Sequence, residues 1–365
     1  MLAPHIESGA LVAIGVAQEQ HLDRLRLYRQ WRQLDWPLFI DKLNLLDHKA
    51  VPIPMGIDEG GIVVHPRLRG EKDLHAFMGH AYKVDPYPIP KPALPHHHRG
   101  DGLFLEGKVD AAIDAYSRDR APRALFRKGV ALRQRYESRQ RRAGDGQAAV
   151  TAWTAALQMR PDQYIWRRRI QQYGPRLDKP YNMFGWVEQA RAEIRARGEE
   201  PVPLRVEPRG SELMGRGPVP TVQAIDPDPE RKIPADIKRL VHVESIVTPA
   251  RVRPGHRVRV RLVFRVGEAY WNNETDPLKI YVQPAPKLTL QEGLFSHPNA
   301  TETESRETRI LEFEVQVAPE AGPGAHSVAG YAFYGVCEAR GGVCRYLRQE
   351  FAVPVNVDPQ APSIQ

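Results

Sequence analysis

Cysteine is nearly missing from this sequence: two residues in 365 exclude a disulfide scaffold and a zinc protein built on four cysteines. Long apolar runs are missing too. Nothing approaches the ~18 consecutive apolar residues of a bilayer span, so no transmembrane helix is encoded. The opening stretch MLAPHIESGALVAIGVAQEQ lacks a basic region and a cleavage site, so it does not read as a signal peptide. No Ser/His/Asp arrangement, HExxH, P-loop or GxGxxG sequence is found. No cofactor and no metal are implied.

What is present is ordinary in bulk and uneven in detail. With 42% hydrophobic and 26% charged residues, the chain is neither collagen-like nor wholly disordered. Its 33 prolines point to linkers and an edge-rich β domain. The net charge of +8 is concentrated between residues 118 and 179, with 16 Lys and Arg against 5 Asp and Glu. Read functionally, that is an anion-binding face. Read structurally, it is a solvated face whose arginine stems cover apolar surface. No nucleic-acid-binding motif accompanies it, so the second reading is favoured and nucleic acid is not an expected partner.

The pattern divides the chain into a multidomain α+β protein. Residues 1–84 form an α/β segment, 85–99 a Pro/His linker, and 100–199 a helical domain. Residues 200–232 form a second linker, 233–357 an all-β domain, and 358–365 a tail. In the first segment LVAIGV reads as a fully buried strand. HLDRLRLYRQWRQLDWP then reads as a helix ended by Pro37. Ile53–Ile57 and Ile62–Val64 alternate like strands around an Asp58-Glu59-Gly60-Gly61 turn. The histidines 96–98 lie on what reads as extended linker, where neighbours point in alternating directions and do not close a metal site.

The strand LVAIGV, the helix after Gln18-Glu19-Gln20, and Val51-Pro52 leading into MGIDEGGIVV resemble the later part of a thioredoxin-like (redoxin) domain. The resemblance implies a cis bond at Val51-Pro52. The family's C-x-x-C unit would precede Met1, so this part is expected to be a truncated or degenerate redoxin segment. Gly107, Ala112, Ile113 and Tyr116 resemble the core of a tetratricopeptide (TPR) repeat. Gly144, Asp145, Ala149, Trp153, Ala156, Leu157 and Pro161 resemble a second, with Gly129 at the first-helix glycine. That implies a peptide-binding or packing scaffold, with Tyr116 and Trp153 filling its core. The two later helical stretches, around Trp166 and Trp186, are expected to cap the stack.

In the third segment six stretches alternate at period two. In the second of them Val258, Val260, Leu262 and Phe264 lie on one face, and Arg257, Arg259, Arg261 and Val263 on the other. Six such strands predict an immunoglobulin-like sandwich. Both cysteines fall here. A turn at Arg340-Gly341-Gly342 brings Cys337 and Cys344 within plausible disulfide reach. So short a loop gains little chain-entropy stabilisation, which makes the bond a candidate for exchange. The alternatives are a structural clip or two buried thiols. Arg340 and Arg345 are placed to lower a thiol pKa.

The Pro-Gly turn before RVRVRLVF, the late ILEFEVQV strand and the tyrosine-bearing strand into the Cys pair resemble one known domain. It is the amino-terminal periplasmic domain of the bacterial thiol:disulfide interchange reductase. The resemblance implies that Cys337 and Cys344 exchange electrons with a protein partner, itself a thioredoxin-like redox protein. Arg345-Tyr346-Leu347 stands where that family carries Tyr-Pro-Pro. The expectation is therefore a thiol–disulfide exchange or redox-partner protein in a periplasmic or otherwise extracytoplasmic compartment. The alternative is a non-enzymatic interaction scaffold whose Cys pair is structural.

Overall fold

The computed structural model describes residues 3–82, 96–176, 183–208, 212 and 224–364. Most of the first linker, and residues 209–211 and 213–223 of the second, lie outside the described residues. Within them the chain is mixed α and β, with nine helices, one parallel strand pair and three antiparallel sheets. No described helix is long and apolar enough to cross a membrane.

The first segment holds α1 (Ala3–Glu7), β1 (Gly15–Ala17), α2 (Leu22–Arg32) and β2 (Leu38–Ile40), followed by β3 (Gly56–Ile57), β4 (Val63–His65) and α3 (Glu71–Met78). Strands β1 and β2 pair in parallel, Gly15 opposite Leu38, and form a sheet of two strands. This corrects the reading of LVAIGV as a fully buried strand: only its last two residues are strand, Val12 and Ile14 before them are 72% and 55% exposed, and Val16 within β1 is exposed too, because so small a sheet leaves a face uncovered. Helix α2 also ends before Pro37. Gln33 takes a left-handed φ of 51°, and its N–H returns to the Arg29 and Gln30 carbonyls, closing the helix. The Asp58 turn forms as expected. Asp58 Oδ1 accepts the N–H groups of Gly60 and Ile62, and Gly61 supplies a φ of 81°.

The helical layer comprises α4 (His96–Leu105), α5 (Val109–Ser117), α6 (Pro122–Tyr136), α7 (Asp145–Met159), α8 (Tyr164–Gln171) and α9 (Trp186–Ala196). The histidines at 96–98 thus open a helix rather than continue a linker. The prolines of that stretch stop at Pro95, so the helix that follows keeps all its backbone donors. Helices α4 to α8 share one core containing Tyr116, Phe126, Trp153 and Trp166. Two glycines make room for rings of this core. A Cβ on Gly100 would lie 2.5 Å from the Tyr116 ring, and one on Gly129 2.4 Å from the Trp153 ring. Helix α9 does not cap this stack. It joins α2 in a separate core of Leu27, Trp31, Val187, Ala190 and Ile194. There the Trp31 and Trp186 rings stack at 5.8 Å.

The β domain contains β5 (Val241–Thr248), β6 (Arg257–Val266), β7 (Tyr270–Asn272), β8 (Lys279–Val282) and β9 (Leu288–Leu290). It continues with β10 (Leu294–Ser296), β11 (Glu304–Ser305), β12 (Arg309–Val317), β13 (Gly324–Cys337) and β14 (Cys344–Val357). One sheet runs β5-β6-β12-β9. The other runs β10-β8-β13-β7-β11, with β14 also paired to β13. The inward residues of both sheets form one apolar core, in which Val258, Val260, Leu262 and Phe264 meet Trp271, Ile280, Tyr334 and Val355. Outward on β6, Arg259 and Arg261 pair with Glu312, and Arg257 with Glu314, across the strand.

The helical layer docks on β5, the edge of its sheet. The Gln147 side chain accepts the Val247 N–H at 2.8 Å and donates to the Val247 carbonyl. Such contacts occupy backbone groups that an open edge would leave free. Tyr136, Val150 and Ile246 close a small apolar patch beside them. Part of the arginine excess of the helical layer is buried, while Arg118, Arg120, Arg139, Arg141, Arg142 and Arg176 are exposed. Arg127, Arg133 and Arg135 are buried against Asp101, Glu137 and Asp145, and Arg169 is buried against Gln20.

Candidate redox site at the end of the β13–β14 hairpin

Cys337 and Cys344 are the last residue pair of the β13–β14 ladder and stand directly opposite each other. Their sulfurs are bonded, with the Cα atoms 3.8 Å apart. The loop between them closes on itself: the Glu338 N–H donates to the Val343 carbonyl and the Gly342 N–H to the Ala339 carbonyl. Gly341 takes a φ of 65°, which a side chain would resist. The two halves of the bond differ sharply in environment. Cys337 is fully buried, and its backbone also pairs with Tyr270 of β7. Cys344 is exposed.

Beside the sulfurs lies Glu304 of β11. Its carboxylate accepts the Gly341 N–H at 3.0 Å. Among the described residues, one ligand atom each from Glu304, Cys337 and Cys344 lie within 4.8 Å of one another. Arg345 is engaged with Glu338, 3.4 Å away, together with Lys238. Those cations hold the Glu338 carboxyl below its ordinary range, the Lys238 hydrogen bond first. The charged group that the structure places with the sulfurs is the Glu304 carboxylate. Glu304 had no sequence signal. It reaches the pair only because β11 pairs β7, and β7 pairs β13.

The other residues singled out from sequence lie elsewhere. Val51 and Pro52 are exposed in the loop before β3, joined by a cis peptide. Tyr116 and Trp153 are fully buried in the helical core. The aromatic residues of β13 have their own partners. The Tyr331 hydroxyl donates to Asp226, the Tyr331 and Phe333 rings meet at 5.7 Å, and the Tyr334 hydroxyl donates to Asp236 at 2.9 Å.

A second polar cluster sits where the three segments meet. A cavity of about 310 Å³ is lined by His21, Arg133, Tyr136, Glu137, Arg261 and Arg265, among others. Glu137 accepts from Arg133 Nε at 2.6 Å and lies 3.1 Å from His21 Nε2. Burial alone would raise the Glu137 carboxyl. Arg133 and His21 outweigh it and hold the group down to about 2. A carboxyl depressed on folding stabilises the fold above its unfolded value of 4.5 and loses that contribution as pH falls toward about 2. The Tm of wild type is therefore expected to exceed that of Glu137→Gln at pH 7, with the gap closing across that window. A gap that stays constant with pH refutes the assignment.

No family model matches this chain, and no curated protein matches it. Among solved structures, Spo0M, the sporulation control protein of Bacillus subtilis, is 13% identical with a TM-score of 0.19, over 33% of this chain and 49% of that one. AggA, the major subunit of aggregative adherence fimbriae type I from Escherichia coli, is 14% identical with a TM-score of 0.20, over 32% and 95%. AvmM, which catalyses macrocyclization in alchivemycin A biosynthesis, is 11% identical with a TM-score of 0.18, over 33% and 90%. The chain thus spans about half the length of Spo0M, and likenesses this slight carry no argument about its fold or activity.

Proposed function

We propose that this chain is a thiol–disulfide exchange partner, with Cys337–Cys344 as the exchangeable bond. The observation that carries the reading is the asymmetry of the pair: Cys344 is open to solvent while Cys337 is sealed in the sheet. A partner thiolate attacks the Cys344 sulfur, forming a mixed disulfide. The electron pair of the broken bond passes to Cys337, which takes up a proton. The partner's second thiolate then attacks its own sulfur in the mixed disulfide. Cys344 leaves as a thiolate and is protonated, and the partner departs oxidised by two electrons.

In this reading the β domain is an immunoglobulin-like carrier of the pair, and the helical layer is a TPR-like scaffold for a protein partner. The first segment is a partial thioredoxin-like unit. An extracytoplasmic compartment suits a persistent disulfide.

One observation favours the second reading, a structural staple in a non-enzymatic scaffold. The departing Cys337 thiolate would form in a buried place beside the Glu304 carboxylate, where both desolvation and like charge oppose it. The two readings separate on the reduction potential and on trapping. The exchange reading expects a potential above about −300 mV. It also expects a trapped mixed disulfide on Cys344 with a thioredoxin-type protein lacking its second cysteine. A lower potential and no adduct would establish the staple.

A further inference from the structure

We infer that the reduced pair, together with Glu304, is a zinc site. The inference rests on the exchange reading only for how the sulfurs come to be reduced in the cell. Two cysteine sulfurs and a carboxylate oxygen suit Zn²⁺ rather than Mg²⁺ or Ca²⁺, which prefer all-oxygen shells. Zinc binds sulfur at about 2.3 Å and carboxylate oxygen at about 2.0–2.2 Å. Atoms on one ion therefore lie within about 4 Å of each other. The three atoms here already fall within 4.8 Å, so small side-chain rotations close the set once the sulfur–sulfur bond is gone.

The placement is fixed by the sheet rather than by a loose loop. Cys337 and Cys344 end adjacent strands, and Glu304 sits on a strand two places away in the same sheet. The Gly341 N–H holds the carboxylate at the hairpin. The exposed side of Cys344 leaves an entry path and room for water as a fourth ligand.

Charge supplies the reason for a cation. Opening the disulfide places two ionisable thiols next to the Glu304 carboxylate. Proton retention or a divalent cation relieves that crowding. The balance is simple. A partner dithiol delivers two electrons and two protons to the disulfide. Zn²⁺ then displaces the two thiol protons and binds both sulfurs. Because the ion binds the reduced form alone, it pulls the couple toward reduction by mass action. At a free zinc level 100-fold above Kd the reduced form gains about 100-fold, equivalent to about 59 mV for a two-electron couple.

The test uses the full chain, reduced with a phosphine and desalted without oxygen, with thiol titration confirming two free cysteines. Cobalt(II) serves as the optical probe. The expected result is one equivalent bound, with sulfur-to-cobalt charge-transfer absorption that Zn²⁺ abolishes. Cys344→Ser is expected to lose this tight binding and Glu304→Gln to weaken it at least ~10-fold. The oxidised Glu304→Gln protein should keep the wild-type Tm, which separates loss of a ligand from loss of fold. If that Tm falls, Glu304→Asp replaces it and must retain binding. Two titratable thiols without charge-transfer absorption would overturn the inference, as would wild-type affinity in Glu304→Gln. If phosphine-reduced protein binds cobalt but a thioredoxin-type dithiol cannot open the bond, the exchange reading falls and the metal site stands.

Discussion

Replacing Trp153 by alanine is expected to cost the helical layer about 3–5 kcal/mol. The ring is fully buried, stacks on Tyr173 at 5.7 Å, and donates its indole N–H to the Phe126 carbonyl at 3.1 Å. Truncation leaves a cavity among helices that other packed elements hold apart. The sharper outcome concerns Gly129, whose missing Cβ makes room for that ring. In wild type, Gly129→Ala overpacks the contact and should destabilise by about 1–3 kcal/mol. In the Trp153→Ala background the obstruction is gone. The helix propensity of alanine should then make the same substitution stabilising by up to ~1 kcal/mol. Urea titrations of the four proteins in a double-mutant cycle check this. If Gly129→Ala has the same sign and size in both backgrounds, the ring-in-glycine contact does not govern this packing.

Asp101→Ala is expected to destabilise by a similar amount, about 3–5 kcal/mol, for a different reason. The Asp101 carboxylate accepts from the Tyr116 hydroxyl at 2.9 Å and from Arg127 Nη1 at 2.6 Å, and Asp101 and Arg127 are both buried. Burial first, and then the Asp101 charge, drive the Tyr116 hydroxyl pKa upward, so it stays a donor. Removing the carboxylate strands a guanidinium and a hydroxyl away from water. Arg127 also donates to the Leu43 carbonyl at 3.2 Å, so the loss extends to the contact between the helical layer and the first segment. Removing both charges with Asp101→Leu and Arg127→Met should recover most of the stability, since apolar replacements of a buried pair are often neutral. Urea midpoints of the single and double variants measure the recovery. A double variant as weak as Asp101→Ala would show that the pair contributes more than it costs to bury.

The β domain is the most legible part of the sequence. Burial alternates residue by residue along β12, β13 is buried on both faces toward its end, and Val258, Val260, Leu262 and Phe264 face inward as their spacing requires. Strands β7, β9, β10 and β11 leave no such trace, because two or three residues do not establish a period. The helical stretch is readable from small residues around Tyr116 and Trp153, since their volumes must match across helices. The apolar run before Gly15 misleads because hydrophobicity reports what a strand can bury, and β1 pairs with β2 alone.

Local pattern was enough for the long strands of the β domain, the inward face of β6, most of the helices between residues 100 and 199, and the hairpin that joins the cysteines, because each depends on residues near one another in the chain. Distance along the chain hid the rest. Glu304 reaches the sulfurs through two strand pairings, α9 leaves the helical stack for α2 through a tryptophan stack, and Arg127 is neutralised by a carboxylate on another helix. Those relations arise when sheets and helices choose neighbours by burying area and pairing charge, and no periodicity in the sequence records that choice.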